Sequence, residues 1–199
     1  MDNPLRIGIL GLDTSHSVAF ARILNNPDQP EDAAALGGRI THAWADRAKG
    51  DMAATVEERR EELTSKWGVA MVRKPTEMVG KVDAVMVLAV NGADHARLAR
   101  PFLDEGLPIF VDKPFTNSVS QARSLIKAAQ SSRSAMMSCS ALRYADEVVS
   151  VIEEGPHIGI PFGGCLCGPG AHREGMPGPF FYGIHTAEML QALFGTGIE

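Results

Sequence analysis

The stretch VDAVMVLAVNGADHARLARPFLDEGLPIFVDKP, residues 82–114, decides the fold of this chain. It opens with a nearly unbroken apolar run, Val82 to Val90, whose length and β-branched content are typical of a buried parallel strand. Apolar residues then recur at helical spacing from Ala96 to Leu103, and Gly106 is a stop signal. A second apolar run, Pro108 to Val111, completes a strand–helix–strand unit, which predicts a parallel sheet with right-handed crossovers.

Polar residues follow each of the two predicted strands. Asn91 to His95 come after the first strand, and Asp112 and Lys113 come after the second. Ligands of doubly wound sheets bind beyond the carboxyl ends of the strands. We therefore expect both clusters to face a binding site.

The remaining apolar runs extend the same pattern. Further strands are predicted at Leu5–Leu10, Arg39–Ala45, Val69–Val72 and Ala135–Ser138, with helices at Ser17–Leu24, Ala53–Trp67 and from about Asn117 to Gln130. Residues 1–140 are thus expected to form a doubly wound, Rossmann-like parallel sheet of the α/β class. Residues 141–199, with a helix at Leu142–Glu153, a strand at Gly159–Cys167 and a final helix from Phe180 to Phe194, are expected to begin an incomplete second α+β domain.

Composition excludes several classes of protein. The 199 residues carry a net charge of −5, which argues against a nucleic-acid or anionic membrane partner. No apolar run approaches the roughly 20 residues of a membrane span, and the start of the chain does not resemble a signal peptide. The 3 cysteines lack the spacing of a disulfide framework, so we expect a cytoplasmic protein.

The loop after the first strand, Gly11-Leu12-Asp13-Thr14-Ser15-His16, stands where a dinucleotide-binding fold carries G-x-G-x-x-G. Only Gly11 matches, because Asp13 and His16 occupy the second and third glycine positions. A carboxylate about 5 Å from a phosphate charge would cost roughly 3 kcal/mol at an effective dielectric near 20. We therefore expect weak NAD(P) binding or none.

Two interpretations of this loop remain open. In the first, Asp13, Thr14 or Ser15 is the N-cap of the following helix, the commonest use of such residues. In the second, Asp13 and His16 belong to a polar pocket that binds a sugar-like ligand or a displaced cofactor. The first would favour a non-catalytic protein.

The second strand ends in Asp46-Arg47. An acidic residue at this position fits the ribose hydroxyls of NAD, whereas Arg47 would suit the 2′-phosphate of NADP. A strand-end turn aspartate is the alternative.

The central unit resembles the Gfo/Idh/MocA oxidoreductases in its order of strand, loop with His95, helix and strand. Its last strand is followed by Asp112-Lys113-Pro114, where that family has Glu-Lys-Pro. The last segment resembles the D-x-G-x-H-x-x-D motif of that family. Gly183 and His185 match, Glu188 stands for the last Asp, and Phe181 replaces the first. The resemblance implies a catalytic lysine, a histidine acid/base, NAD or NADP as cofactor, and a sugar-like substrate.

The candidate site residues are therefore of three kinds. Lys113 and His185 are predicted to be catalytic. Cofactor binding is predicted for Gly11, Asp13, Thr14, Ser15, His16, Asp46, Arg47, Asn91, His95 and Asp112, and substrate binding for Arg143, Tyr182 and Glu188. Cys165, Cys167 and His172 lack a fourth ligand, so no structural zinc is expected.

The expected function is an NAD(P)-dependent oxidoreductase acting on a sugar or polyol hydroxyl. Oxidising a secondary alcohol needs a base for the hydroxyl proton and a cation to polarise the oxygen, roles that suit His185 and Lys113. The alternatives are a non-catalytic ligand-binding or scaffold protein and a lyase or epimerase using the same pair. A lone strand at Gly159–Cys167 would need a partner, so either the chain is a truncated fragment or the strand pairs with a second copy; we expect a homo-oligomer.

Overall fold

A six-stranded parallel sheet forms the centre of the computed structural model, which describes residues 4–28, 37–46, 51–159, 163–171, 174 and 178–196. The strands are β1 (Leu5–Leu10), β2 (Gly38–Trp44), β3 (Ala70–Met71), β4 (Ala84–Val87), β5 (Ile109–Val111) and β6 (Met136–Met137). Their order is β3-β2-β1-β4-β5-β6, and every pair is parallel. The predicted doubly wound, Rossmann-like sheet is confirmed.

The helices connect these strands on both faces of the sheet. They are α1 (His16–Asn25), α2 (Asp51–Glu61), α3 (Gly92–Asp104), α4 (Val119–Ser132), α5 (Asp146–Ile158) and α6 (Pro179–Phe194). A π-helical stretch, Glu62–Lys66, continues α2, and 3₁₀ turns lie at Pro75–Met78 and Ala141–Tyr144. Within the described residues, no helix is long and apolar enough to cross a bilayer.

Side chains alternate in direction along each strand, so one hydrophobic core forms on each face of the sheet. Ile9 and Leu10 are both fully buried, yet they belong to different clusters because neighbouring strand side chains point to opposite faces. Leu10 packs with α3 and α4, whose Phe102 and Leu125 are buried, while Ile9 packs with Val18 of α1. A strand buried on both faces must be apolar at every position, which explains the continuous runs seen in the sequence.

One part of the sheet is less completely covered. On the α1 face, Met86, Phe110 and Met137 line an apolar groove of about 540 Å³, together with Phe20 and Ile23 of α1. Met137 is 50% exposed and Ile23 is 44% exposed. This groove lies away from the polar loops at the carboxyl ends of the strands.

The predicted strand at Gly159–Cys167 is wrong over its described part, because residues 163–171 contain no strand. The sequence there, GGCLCGPGA, is rich in glycine, which weakens a strand, and none of the six strands in the described residues pairs with it. Instead α6 packs against the 3₁₀ turn Ala141–Tyr144 and against α5. The homo-oligomer prediction loses the strand on which it was based.

Candidate active site

The candidate site lies where β1, β4 and β5 end side by side. The strand order reverses between β1 and β4, and dinucleotides bind in the crevice at such a switch point. The loops after these three strands carry most of the predicted site residues, and α6 brings Tyr182, His185 and Glu188 to the same region.

Gly11 allows the β1 loop to approach the β4 loop. Its φ is +103°, and a Cβ atom there would lie 2.5 Å from the backbone nitrogen of Ala89. Its own N–H donates to Trp44 O over 2.9 Å. The surviving glycine is therefore required by packing against the neighbouring strand end.

Asp13 spans the crevice and does not cap α1. Its Oδ2 accepts a 3.1 Å hydrogen bond from the backbone N–H of Val90, while its buried Oδ1 has no hydrogen-bond partner in the described structure. Burial raises the pKa of the Asp13 carboxyl, opposed by the hydrogen bond from Val90 and by the charge of Arg59. This carboxylate is thus partly desolvated at the place where a second glycine would lie against a phosphate.

Ser15 occupies the predicted N-cap position of α1, but its side chain makes no cap hydrogen bond. Thr14 contributes partially, because its Oγ1 accepts from the His16 backbone N–H over 3.2 Å. Its carbonyl oxygen accepts from the hydroxyl of the fully buried Ser17. Neither Asp13 nor His16 therefore serves as a cap.

His16 and Asp112 form a close pair between α1 and the loop after β5. Nδ1 of His16 lies 2.6 Å from Oδ2 of Asp112, and the side chains are 40% and 8% exposed. The other Asp112 oxygen accepts a 2.8 Å hydrogen bond from the Lys113 backbone N–H. Asp112 thereby fixes the position of Lys113 relative to the start of α1.

The Lys113 side chain extends toward the first turn of α6. Its Nζ lies 5.2 Å from the ring centre of Tyr182 and 5.7 Å from that of Phe181, within the range of cation–π attraction. The Tyr182 ring is in turn 5.5 Å from the ring of His185. Phe181, where the family motif has an aspartate, is 8% exposed and forms an apolar wall beside the ammonium.

His185 is held from behind by the chain segment after β6. Its Nδ1 lies 2.5 Å from Oγ of Ser140, whose backbone N–H donates to Oε2 of Glu188 over 2.8 Å. Burial lowers the pKa of His185, as do the charges of Lys113 and His16, while Asp112 opposes them. Lys113 and His185 therefore both lie against the Tyr182 ring.

Most of the chain that carries this site matches a known protein family. Residues 5–139 match a family described as oxidoreductases with an NAD-binding Rossmann fold. The chain belongs to the Gfo/Idh/MocA oxidoreductase family. No protein of curated function matches it.

Solved structures share the Gfo/Idh/MocA fold of this chain at low sequence identity. Myo-inositol 2-dehydrogenase from Lactobacillus plantarum is 21% identical, with a TM-score of 0.60 over 77% of this chain and 42% of that one. An NAD-binding protein from Listeria innocua is 20% identical, with a TM-score of 0.69 over 95% of this chain and 54% of that one. Scyllo-inositol dehydrogenase from Lactobacillus casei is 15% identical, with a TM-score of 0.59 over 78% and 43%. The chain thus spans about half the length of these structures.

The cofactor of the Gfo/Idh/MocA family fits these residues in part. α1 begins without an acidic residue in its first turn or a side-chain cap at its N-cap position, which suits a phosphate at a helix N-terminus. Asp46 is exposed after β2, where the ribose hydroxyls would lie. Its Oδ2 is 3.6 Å from Nη2 of Arg97, with which it forms an ion pair. Asp13 is the misfit, since its carboxylate opposes a pyrophosphate. Arg47 lies outside the described residues.

Several predicted residues have other roles in the described structure. His95 is fully buried between the carbonyl oxygens of Ala89 and Phe115, so its side chain cannot reach a cofactor, and that assignment is corrected. Asn91 caps α3 through Ala93 N–H. Arg143 donates to Glu188 O and to Gln191 Oε1, in the wall of a separate cavity of about 570 Å³ beside β6.

The sequence predicts no structural zinc at Cys165, Cys167 and His172. Cys165 and Cys167 are exposed, and His172 lies outside the described residues. Among the residues that the structure describes, no group of three or more acidic, histidine or cysteine side chains is arranged to hold a metal ion.

Two residues of the site were missed in the sequence. Arg59 lies in the helix predicted at Ala53–Trp67 and was given no site role, yet its Nη1 donates to Leu12 O over 2.9 Å and its charge acts on Asp13. Ser140 was read only as the end of the sheet, yet it is fully buried and holds His185. Neither has a local pattern that would reveal it, because both contacts join residues 45 or more positions apart.

Proposed function

We propose that this chain is the nucleotide-binding part of an NAD(P)-dependent dehydrogenase that oxidises a secondary hydroxyl of a sugar or polyol. Lys113 and His185 are the reacting pair. The supporting observation is that both groups lie beside the Tyr182 ring, whose centre is 5.2 Å from Lys113 Nζ and 5.5 Å from the centre of the His185 ring.

The chemistry of the pair suits alcohol oxidation. The Lys113 ammonium would polarise the substrate oxygen, as a cation does where negative charge develops. His185, whose pKa is lowered by burial and by Lys113, is neutral at physiological pH and is able to exchange a proton with the substrate. A bound nicotinamide would supply hydride acceptance. Phe181 and Tyr182 would pack against the apolar face of a sugar ring.

Polyol substrates are favoured by the solved relatives, since two of those similar in fold are inositol dehydrogenases by name. The Glu188 carboxylate binds the Ser140 backbone, so its contribution is to position His185 and not to contact the substrate directly. Tyr182 is the predicted substrate-contacting residue that lies beside both reacting groups.

The alternative, a non-catalytic binding protein, depended on Asp13 and His16 filling the phosphate site as helix caps. They do not cap α1, since Asp13 binds Val90 N–H and His16 binds Asp112. This geometry removes the cap-based argument for a binding protein. The 3 cysteines, none in a disulfide, suit the cytoplasm. We retain a homo-oligomer and a domain boundary near residue 140 as proposals.

Calorimetry and thermal shift with NAD, NADH, NADP and NADPH test the first half of this proposal. A cofactor present at a hundred times its dissociation constant stabilises the protein by about 2.7 kcal/mol. Turnover with a panel of inositols and sugars, followed through nicotinamide absorbance, tests the second half. Lys113→Met is expected to lower kcat about 100-fold or more, whereas Lys127→Met on the exposed face of α4 leaves it unchanged. Full activity of Lys113→Met would refute the role of this cation.

A further inference from the structure

Arg59 interrupts the apolar stripe of α2. Val56 and Leu63, which lie on the same face of α2 and its π-helical continuation, are buried in the core that α1 shares, and Arg59 lies between them. A position at this helical spacing normally holds another apolar residue. Arg59 is half-buried there, and burial lowers the pKa of its guanidinium. The chain therefore keeps a partly desolvated cation where packing alone favours an apolar side chain.

The guanidinium of Arg59 is anchored to the loop after β1. Nη1 donates a 2.9 Å hydrogen bond to the carbonyl oxygen of Leu12, the residue before Asp13. An arginine fork carries several N–H donors, and in the part of the chain that the structure describes this is the only hydrogen bond of the Arg59 side chain. Among the same residues no carboxylate forms an ion pair with it. Most of the fork is therefore available to a ligand.

The loop that Arg59 contacts is where a doubly wound sheet binds the pyrophosphate of a dinucleotide. Strands β1 and β2 are neighbours, and α2 follows β2, so Arg59 reaches the loop from the side on which the adenosine half of a dinucleotide binds. The loop has only Gly11 of the fingerprint, and the Asp13 carboxylate, with its buried and unpartnered Oδ1, opposes a phosphate. A cation from the neighbouring helix supplies the attraction that this loop lacks.

We propose that Arg59 is a cofactor-binding residue, whose guanidinium holds the adenosine-side phosphate of the pyrophosphate while it stays bound to Leu12 O. The inference rests on the proposed function, because it takes a dinucleotide as the ligand. A planar guanidinium binds phosphate oxygens through paired N–H groups, and the hydrogen bond to Leu12 fixes its position at the loop. A side chain thereby replaces the close backbone approach that the second glycine of the fingerprint allows.

Isothermal titration calorimetry with NAD and ADP-ribose tests the assignment without turnover. Arg59→Gln keeps an amide donor for Leu12 O and removes the charge, so the affinity for both ligands should fall about 10- to 100-fold. Arg59→Lys keeps the charge without the fork and should lose less, and it carries the comparison if Arg59→Gln does not fold. Arg60→Gln, the neighbour that pairs with Glu57, is the matched control and should bind as the wild type does.

Two indirect roles of Arg59 give different results. If Arg59 only neutralised Asp13, Arg59→Gln would have no effect on affinity in the Asp13→Asn protein, whereas we expect the loss to persist there. If Arg59 only shaped the loop, adenosine followed by NMR titration would lose affinity in the same proportion as ADP-ribose, whereas we expect adenosine binding to be unchanged. Either of the two indirect results would overturn the proposal.

The remaining outcomes separate this inference from the proposed function. Equal losses for NAD and NADP are expected in Arg59→Gln, whereas a loss confined to NADP would assign Arg59 to the 2′-phosphate and overturn the pyrophosphate role. Wild-type affinity for ADP-ribose in Arg59→Gln would also overturn it, even in an active dehydrogenase. Arg59-dependent binding of ADP-ribose without turnover of any alcohol would overturn the proposed function and support this assignment. A wild-type protein that binds no ADP-ribose would overturn both.

Discussion

Replacing Asp13 by Asn removes one charge from the crevice between β1 and β4 while leaving its hydrogen bond in place. The amide oxygen of Asn can accept from Val90 N–H as the carboxylate does over 3.1 Å. The unpartnered Oδ1 position then holds an uncharged group. Any change in cofactor affinity therefore reports charge, with little change in shape.

The magnitude follows from Coulomb's law. A carboxylate about 5 Å from a phosphate charge costs roughly 3 kcal/mol at an effective dielectric near 20. Arg59, whose guanidinium binds Leu12 O and opposes the raised pKa of Asp13, offsets part of this cost. If about half remains, Asp13→Asn should tighten NAD(P) binding about tenfold.

The pH dependence gives a second measure of the same charge. Burial raises the pKa of Asp13 above its ordinary value of 3.8, so folding favours the protonated form. The resulting stability is fully present below pH 3.8 and is lost as pH rises through the raised pKa. Wild-type affinity for the dinucleotide should accordingly improve as pH falls through the same range, whereas Asp13→Asn should show no such change.

Isothermal titration calorimetry across pH measures both effects. Asp104→Asn removes a charge from the opposite end of α3, where Asp104 pairs with Arg100, and serves as the matched control. The reasoning is refuted if Asp13→Asn binds no tighter than the wild type, or if Asp104→Asn gives the same gain.

Three further predictions concern stability. Gly11→Ala should destabilise by about 1–3 kcal/mol in urea, because its Cβ would lie 2.5 Å from Ala89 N; an unchanged midpoint would contradict the packing argument. Phe102→Ala should cost about 3–5 kcal/mol by the same assay, since Phe102 is fully buried, and a loss below 1 kcal/mol would mean that the core refills the space. The pKa of Asp83 is lowered to about 2 by Arg6, so the pair contributes stability above pH 3.8 that is lost as pH falls through about 2. Arg6→Gln should remove this acid dependence, and an unaltered acid titration would exclude the contribution.

The sheet could be predicted because its information is local. Val82 to Val90 is apolar except at Asp83, close to what a strand covered on both faces requires, and Leu5 to Leu10 is apolar except at Arg6. Strand ends were less predictable: the apolar run continues to Val90, whereas the β4 ladder ends at Val87. After Val87 the chain leaves the sheet and enters the loop of the site. Residues there stay apolar without forming the hydrogen bonds of a strand.

The partners within the site could not be predicted, because they are set by tertiary structure. His16 and Asp112 are 96 positions apart, and Asp13 and Val90 are 77 apart. Composition alone left Asp13 open between cap and pocket, and only the approach of the β4 loop decides it. Arg59 could not be predicted for a similar reason, since nothing in the charged run Glu57–Glu62 shows that one member contacts another loop.

The shortness of the outer strands limits how copies of this protein can join. β3 and β6, at the two edges of the sheet, have only two residues each. A neighbouring copy that extended the sheet across either edge would gain few interchain hydrogen bonds, so ribbon-like growth and fibre formation are disfavoured. Self-association, if it occurs, must use surfaces that lie flat against one another, and the apolar groove beside Phe110 is one such surface.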